Sequence, residues 1–228
     1  MIPELQQRML AAFPDATWGP LVRGVREGIT LADDVVRNTP MLASLLGRDL
    51  KGQIRRVGVL YRLQQLCTSG ELPFAAEATK MPVGAWHWLD IRSGNVLAHV
   101  ARTETADAMP QDTTNRQIKY VKNQYDLYED GKVVPISHVI AEAKEFYCFL
   151  TFGTDRKGGL THASLGMPSS ENDEWLAFAK LERRAQAGTA APADAATAPN
   201  PKDKIRFREH VQEMLADKQN EADDERSA

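Results

Sequence analysis

The spacing of apolar residues changes period along the chain. Over residues 1–72 it reads as helical. Thr39-Pro40 predicts a cap followed by proline at the first helical position, and Gly47 sits where a short helix would stop. From Gln53 to Thr68 two apolar sets, Ile54, Val57, Tyr61 and Leu60, Leu63, Cys67, follow a period near 3.6, and Gly70 closes that helix. Between residues 83 and 168 the period shortens and turn residues divide the runs. GAWHWLDIR, Ser93-Gly94-Asn95 and VLAHVAR predict a hairpin. YDLY, Glu129-Asp130-Gly131 and KVVPI predict a second, and FYCFLTFG, Arg156-Lys157-Gly158-Gly159 and LTHASLG a third.

Helical spacing returns twice more. SHVIAEAKEF is expected to be a helix over 137–146, capped by Ser137. A second helix is expected from Ser170 to Gln186, with Glu171, Asp173 and Glu174 in its first turn and Lys180, Arg183 and Arg184 towards its end, matching the helix dipole. Residues 188–202 are rich in alanine and carry three prolines, the composition of a flexible linker. Beyond them Phe207, Val211, Met214 and Leu215 mark one side of an amphipathic helix, followed by the acidic EADDERSA. The expected architecture is α+β. It has a helical N-terminal region (1–72), a core of hairpins forming an antiparallel or mixed sheet with packed helices (73–187), a flexible linker (188–202) and an amphipathic tail helix with an acidic end (203–228).

Composition adds bounds. The chain has 228 residues, 43% hydrophobic and 26% charged, with a net charge of -3, so it lacks the excess positive charge of a wholesale polyanion binder. Cys67 and Cys148 lie far apart among apolar neighbours and are expected as reduced, buried thiols. Glu4 and Arg8 interrupt the first apolar pattern, so it does not resemble a signal peptide, and no run approaches the roughly 18 apolar residues of a membrane helix. A cytoplasmic protein without membrane insertion is expected.

Several groups are candidates for chemistry. The five histidines show no metal-ligand spacing, and no phosphate-loop motif occurs, so neither metal nor cofactor is expected. Gly158-Gly159 reads as a hairpin turn. Glu142 and Lys144 behind Val139 and Ile140 have the outline of a metal-dependent nuclease strand, which would need Asp126 or Asp130 beside it. The helical reading of that stretch competes with the strand.

The first hairpin is more informative. Alternation places Leu89, Ile91, Val96, Ala98 and Val100 on one face, with His87, and Trp86, Trp88, Asp90, Leu97, His99 and Ala101 on the other. A Ser93-Gly94 or a Gly94-Asn95 turn preserves those faces. The Gly94-Asn95 register sets Asp90 opposite His99, the orienting half of a general base, with Ser93 and Thr161 the nearby hydroxyls for a nucleophile. Across residues 1–70 nine Lys or Arg residues face six acids. Arg48, Lys51, Arg55, Arg56 and Arg62 lie on a short helix, turn, longer helix order that has the outline of a helix-turn-helix unit.

No motif names a reaction and no catalytic residue is assigned. The leading expectation is a non-catalytic interaction protein that binds and regulates, by inhibiting or adapting, a partner protein. Its expected contacts are Trp86, Trp88, Asp90, His99 and the tail positions Phe207, Val211, Met214 and Leu215. The alternatives are a DNA-binding regulator using the five basic residues, and a metal-dependent nuclease or a hydrolase.

Overall fold

The computed structural model describes residues 1–123, 128–129, 132–133, 143, 145–155 and 157–181. Helices α1 (Pro3–Ala12), α2 (Asp15–Asn38), α3 (Pro40–Ala43) and α4 (Lys51–Thr68) occupy the N-terminal third, with a 3-10 turn at Leu46–Leu50 leading directly into α4. Strands β1 (Ala75–Lys80), β2 (His87–Ser93) and β3 (Val96–Arg102) follow. Next come α5 (Thr114–Tyr120), a short pair β4 (Tyr128–Glu129) and β5 (Lys132–Val133), and finally β6 (Phe146–Thr154), β7 (Leu160–Pro168) and β8 (Trp175–Lys180).

The large sheet has the order β1-β2-β3-β6-β7-β8. β3 and β6 run parallel and every other neighbouring pair runs antiparallel, so the sheet is mixed and the fold α+β. A parallel join requires a long crossover. Here it runs from Thr103 to Glu145 and contains α5.

Both faces of the sheet are covered. Leu89, Ile91, Val96, Ala98, Val100, Phe146, Cys148, Leu150 and Phe152 face α1, α2 and α4, where they share one core with Leu5, Met9, Trp18, Val25, Ile29, Val59 and Leu63. Helices and strands therefore pack as one body rather than as separate lobes. On the opposite face Leu97, Ala101, Tyr147 and Phe149 pack with Tyr120 at the end of α5.

The first and third hairpins form where the turn residues predict them. Ser93 pairs with Val96, so Gly94-Asn95 is the two-residue turn, and Gly94 takes a φ of 57°, which glycine adopts without strain. In the third hairpin the Asp155 carboxylate accepts a 2.8 Å bond from the Gly159 N–H. The backbone N–H groups of Gly159, Gly158 and Lys157 hold Asp155 below the usual carboxylate range. That concavity is thus filled by the protein's own anion. β4 and β5 pair antiparallel at the second predicted hairpin, with Tyr128 opposite Val133 and Glu129 opposite Lys132.

Several expectations need correction or fall outside the described residues. The helix expected from Ser170 is instead a turn and strand β8 as far as Lys180. Ser169 carries the turn: its Oγ accepts the Asp173 N–H at 3.2 Å, its own N–H donates to the Glu174 carbonyl at 2.9 Å, and Asn172 adopts φ 58°. Serine and acidic residues that would cap a helix serve a hairpin turn equally well.

The buried face of α4 is the second correction. It carries Arg55, Gly58, Val59, Leu63 and Leu66, whereas Ile54, Val57 and Tyr61 are only half-buried. Third, of the helix expected over 137–146 only Ala143, Glu145 and Phe146 are described. The first two lie outside regular structure, and Phe146 opens β6. The linker at 188–202 and the tail with Phe207, Val211, Met214 and Leu215 lie outside the described residues, as do Asp126, Asp130, Glu142 and Lys144 of the nuclease outline.

Candidate functional site

Pairing Ser93 with Val96 fixes the rest of the β2–β3 register, and Asp90 and His99 meet as that register requires. His99 Nε2 lies 2.6 Å from Asp90 Oδ1. The parallel strand β6 contributes a third member, because Tyr147 OH lies 3.0 Å from His99 Nδ1. A carboxylate accepts only, so Nε2–H donates to Asp90, Nδ1 is left as an acceptor, and the Tyr147 hydroxyl donates to it. The imidazole also stacks against Trp88, with ring centres 4.3 Å apart, and meets Tyr147 edge-on at 5.2 Å.

Surrounding groups complete the network. Asp90 Oδ2 receives Arg92 at 3.3 Å, and Arg92 and Lys122 both pair with Glu145. The Asn123 amide receives the Tyr147 N–H at 2.9 Å and donates to the Tyr147 and Pro168 carbonyls at 2.8 Å each, filling the gap where β6 and β7 part. Lys119 on α5 lies 4.8 Å over the Trp88 ring.

Electrostatics agree with the hydrogen-bond assignment. Burial pushes the His99 pKa below the ordinary 6.5, and Lys119 and Arg116 add to this against the pull of Asp90, so the ring is neutral. Burial pushes the Asp90 carboxyl up, but the His99 bond and the nearby Lys119 and Arg92 charges outweigh it, so Asp90 is held below its ordinary range. Burial also keeps the Tyr147 phenol protonated.

Both ring nitrogens of His99 are therefore used, and Tyr147, His99 and Asp90 are 0%, 3% and 6% exposed. A general base needs a free nitrogen within reach of a substrate proton. This one is committed to the protein and acts as a polar pin through β2, β3 and β6. Neither guessed nucleophile joins it. Ser93 Oγ donates to the Ala12 carbonyl at 2.6 Å, and Thr161 lies beside His162, 3.1 Å from its Nδ1.

The pin makes stability depend on pH. A histidine whose folded pKa is depressed contributes stability that is complete above its unfolded value and is lost as the pH falls. Loss is expected to begin as the pH drops through 6.5. Asp90 adds a further loss below 3.8. The urea midpoint should therefore fall between about pH 7.5 and about pH 5. His162, also depressed by burial, shifts in the same direction, so the measurement belongs in a His162→Gln background. A flat midpoint there would contradict a neutral, buried His99.

The expected docking face is only partly a surface. Trp88, Asp90 and His99 are buried, so the hairpin's reverse side is a second packing face rather than an exposed one. Trp86 stays outside, 47% exposed. It stands on a loop closed by the 2.9 Å bond from the Met81 N–H to the Trp86 carbonyl. Asn115 of α5 clamps that loop, accepting from the Val83 N–H at 2.9 Å and donating to the Val83 carbonyl at 2.8 Å. Val83 on the same loop is 55% exposed, and Ile118 and Val121, which follow Asn115 in the chain, are 49% and 61% exposed. Trp86 lies just before β2 and so leaves the strand face on which alternation places it beside Trp88.

The five basic residues are held largely by the protein itself. Arg55 makes a two-pronged bond to Asp33, with Nε to Oδ1 at 2.8 Å and Nη2 to Oδ2 at 2.7 Å, and Lys51 lies 3.6 Å from the same carboxylate. Arg62 pairs with Glu27 at 2.7 Å, Arg56 donates to the His87 carbonyl at 3.1 Å, and Arg48 is exposed. The helix expected to read DNA thus turns much of its charge onto α2 and β2.

Among the described residues no group of three or more His, Cys, Asp or Glu side chains could hold a metal ion. No helix there is long and apolar enough to cross a membrane. No family model, curated protein or solved structure matches the chain.

Proposed function

We propose that this chain is a non-catalytic interaction protein that captures and regulates a partner protein, with Trp86 as the anchor of its contact surface. The observation that carries this reading is Trp86, 47% exposed on a loop that the Met81–Trp86 bond closes and Asn115 clamps at Val83. A tryptophan supplies large contact area with few rotatable bonds to freeze. The buried Asp90–His99–Tyr147 network supports the same reading, because the groups best suited to catalysis are committed to the fold. The tail positions Phe207, Val211, Met214 and Leu215 form the proposed second contact, on the sequence pattern alone.

The test is capture from native extract with nuclease-treated controls. Trp86→Ala is expected to weaken capture by about thirtyfold, the effect of losing an anchor worth ~2 kcal/mol, while circular dichroism and thermal midpoint stay unchanged. Deletion after Gln186 is expected to weaken capture independently. Retention of the same partners by both variants would remove the proposal's support.

A further inference from the structure

The two edges of the large sheet differ. At the β8 edge the Leu176 carbonyl accepts the Ile2 N–H at 2.6 Å, and the Phe178 N–H donates to Gln6 Oε1 at 2.8 Å. Helix α1 thereby occupies that edge. Uncovered edges are pairing templates, and native sheets block them in this way.

At the β1 edge no such cover exists among the described residues. The orientation of its backbone follows from the register. In a hairpin closed by two residues, Ser93 and Val96 exchange hydrogen bonds, so the odd-numbered residues of β2 turn their backbone groups to β3 and the even-numbered ones to β1. Asp90 pairs with Glu77 and Trp88 with Thr79, so Ala75, Glu77 and Thr79 bond inward to β2. The N–H and C=O groups of Ala76, Ala78 and Lys80 therefore point outward. No described residue bonds to them, Ala78 is exposed, and β1 contains neither proline nor bulge.

We propose that this edge pairs with β1 of a second copy of the chain, antiparallel about Ala78, to form one continuous sheet. In an antiparallel pair, residues directly opposite must both bond inward or both point away, so a two-fold pairing joins positions of equal parity. Centring on Glu77 or on Lys80 would set like charges opposite each other, which is unfavourable. Centring on Thr79 would place Pro82, which has no N–H, opposite Ala76.

Centring on Ala78 avoids both problems. Ala78 meets Ala78 of the second copy, Ala76 meets Lys80, and Glu77 meets the Thr79 hydroxyl. Every outward N–H and C=O of the three residues is then used. Small alanine side chains at the centre let the two backbones approach.

Light scattering and sedimentation of the full chain over a range of concentrations are expected to show a monomer–dimer equilibrium. Ala78→Pro removes an outward N–H and no β1–β2 bond, so it should weaken dimerisation about tenfold or more with unchanged circular dichroism. Under oxidation Ala78→Cys should cross-link the two copies, because directly opposed hydrogen-bonded residues have Cα atoms about 5.5 Å apart, within disulfide range. Glu77→Cys and the unsubstituted chain, which retains Cys67 and Cys148, should not cross-link at that rate. A monomer at all concentrations, or a dimer in which Ala78→Cys does not cross-link, would overturn the proposal; the cross-link decides it even where the proline variant fails to fold. Trp86→Ala, which tests partner capture, should leave the dimer intact.

Discussion

Asp33→Ala is expected to destabilise the protein by about 3–5 kcal/mol, because it leaves the Arg55 guanidinium buried with no opposing charge. The Arg55 side chain is 8% exposed and that of Asp33 15%, so water screens the pair little. Both oxygens of the carboxylate are used, at 2.8 and 2.7 Å, and the remaining Arg55 nitrogen lies 3.4 Å from Thr154 Oγ1 on β6. The backbone at Gly158, with φ 100°, lies directly against Asp33, where a side chain would meet the carboxylate at 2.2 Å. One carboxylate thus ties α2 to α4 and to the β6–β7 turn.

Its loss also leaves Lys51, 3.6 Å from Asp33, facing Arg55 as a like charge. Urea denaturation should show a lower midpoint with an unchanged slope. Replacing both partners, as Asp33→Leu with Arg55→Met, should recover most of the loss, since removing a whole buried pair is far less costly than removing half of it. A single Asp33→Ala variant as stable as the parent would show that the pair is hydrated rather than buried.

How much of this was legible in the sequence depended on the range of the interaction involved. Local chemistry was legible. Alternation set the two faces of β2 and β3 whichever two residues made the turn, and the structure takes the Gly94-Asn95 register that brings Asp90 opposite His99. Contacts between distant segments were not. Tyr147 completes the His99 pin only because β3 and β6 lie parallel, and no short-range signal predicts a pairing across the Thr103–Glu145 crossover. Strand β1, AAEATK, has Thr79 as its single β-branched residue and no aromatic one, and it is a strand because β2 supplies a partner.

β8 shows the opposite case. Its flanking residues carry strong helix signals, yet Ala177 and Leu176 join the sheet's core and Trp175 packs 5.5 Å from Phe178. Tertiary packing overrides the local preference. The inward face of α4 departs from its apolar pattern for a related reason. A buried arginine and a glycine are not apolar bulk, and both are inward because α2 offers a carboxylate and a matching glycine.

Those glycines carry the second large effect expected. Gly28 of α2 and Gly58 of α4 meet backbone to backbone. A Cβ on Gly58 would lie 2.4 Å from the Gly28 carbonyl oxygen and 3.0 Å from Ala32 Cβ, and a Cβ on Gly28 would lie 2.6 Å from both the Gly58 oxygen and Val59 Cα. No rotamer change relieves contact with a backbone atom, so the helices must separate. Gly58→Ala is expected to cost about 2–3 kcal/mol and Gly58→Val more, despite the ~1 kcal/mol by which alanine favours a helix interior over glycine. Gly24 supplies the internal control. Its added Cβ would meet only the Leu66 and Leu63 side-chain ends, at 2.6 and 3.0 Å, which can rotate aside. Gly24→Ala should therefore cost less than about 1 kcal/mol. Separation at Gly58 would also lengthen the Arg55–Asp33 bonds, so the Gly58→Ala and Asp33→Ala losses should sum to more than the double variant shows. Urea midpoints in which Gly58→Ala matches or exceeds the parent would refute a backbone-to-backbone crossing of α2 and α4.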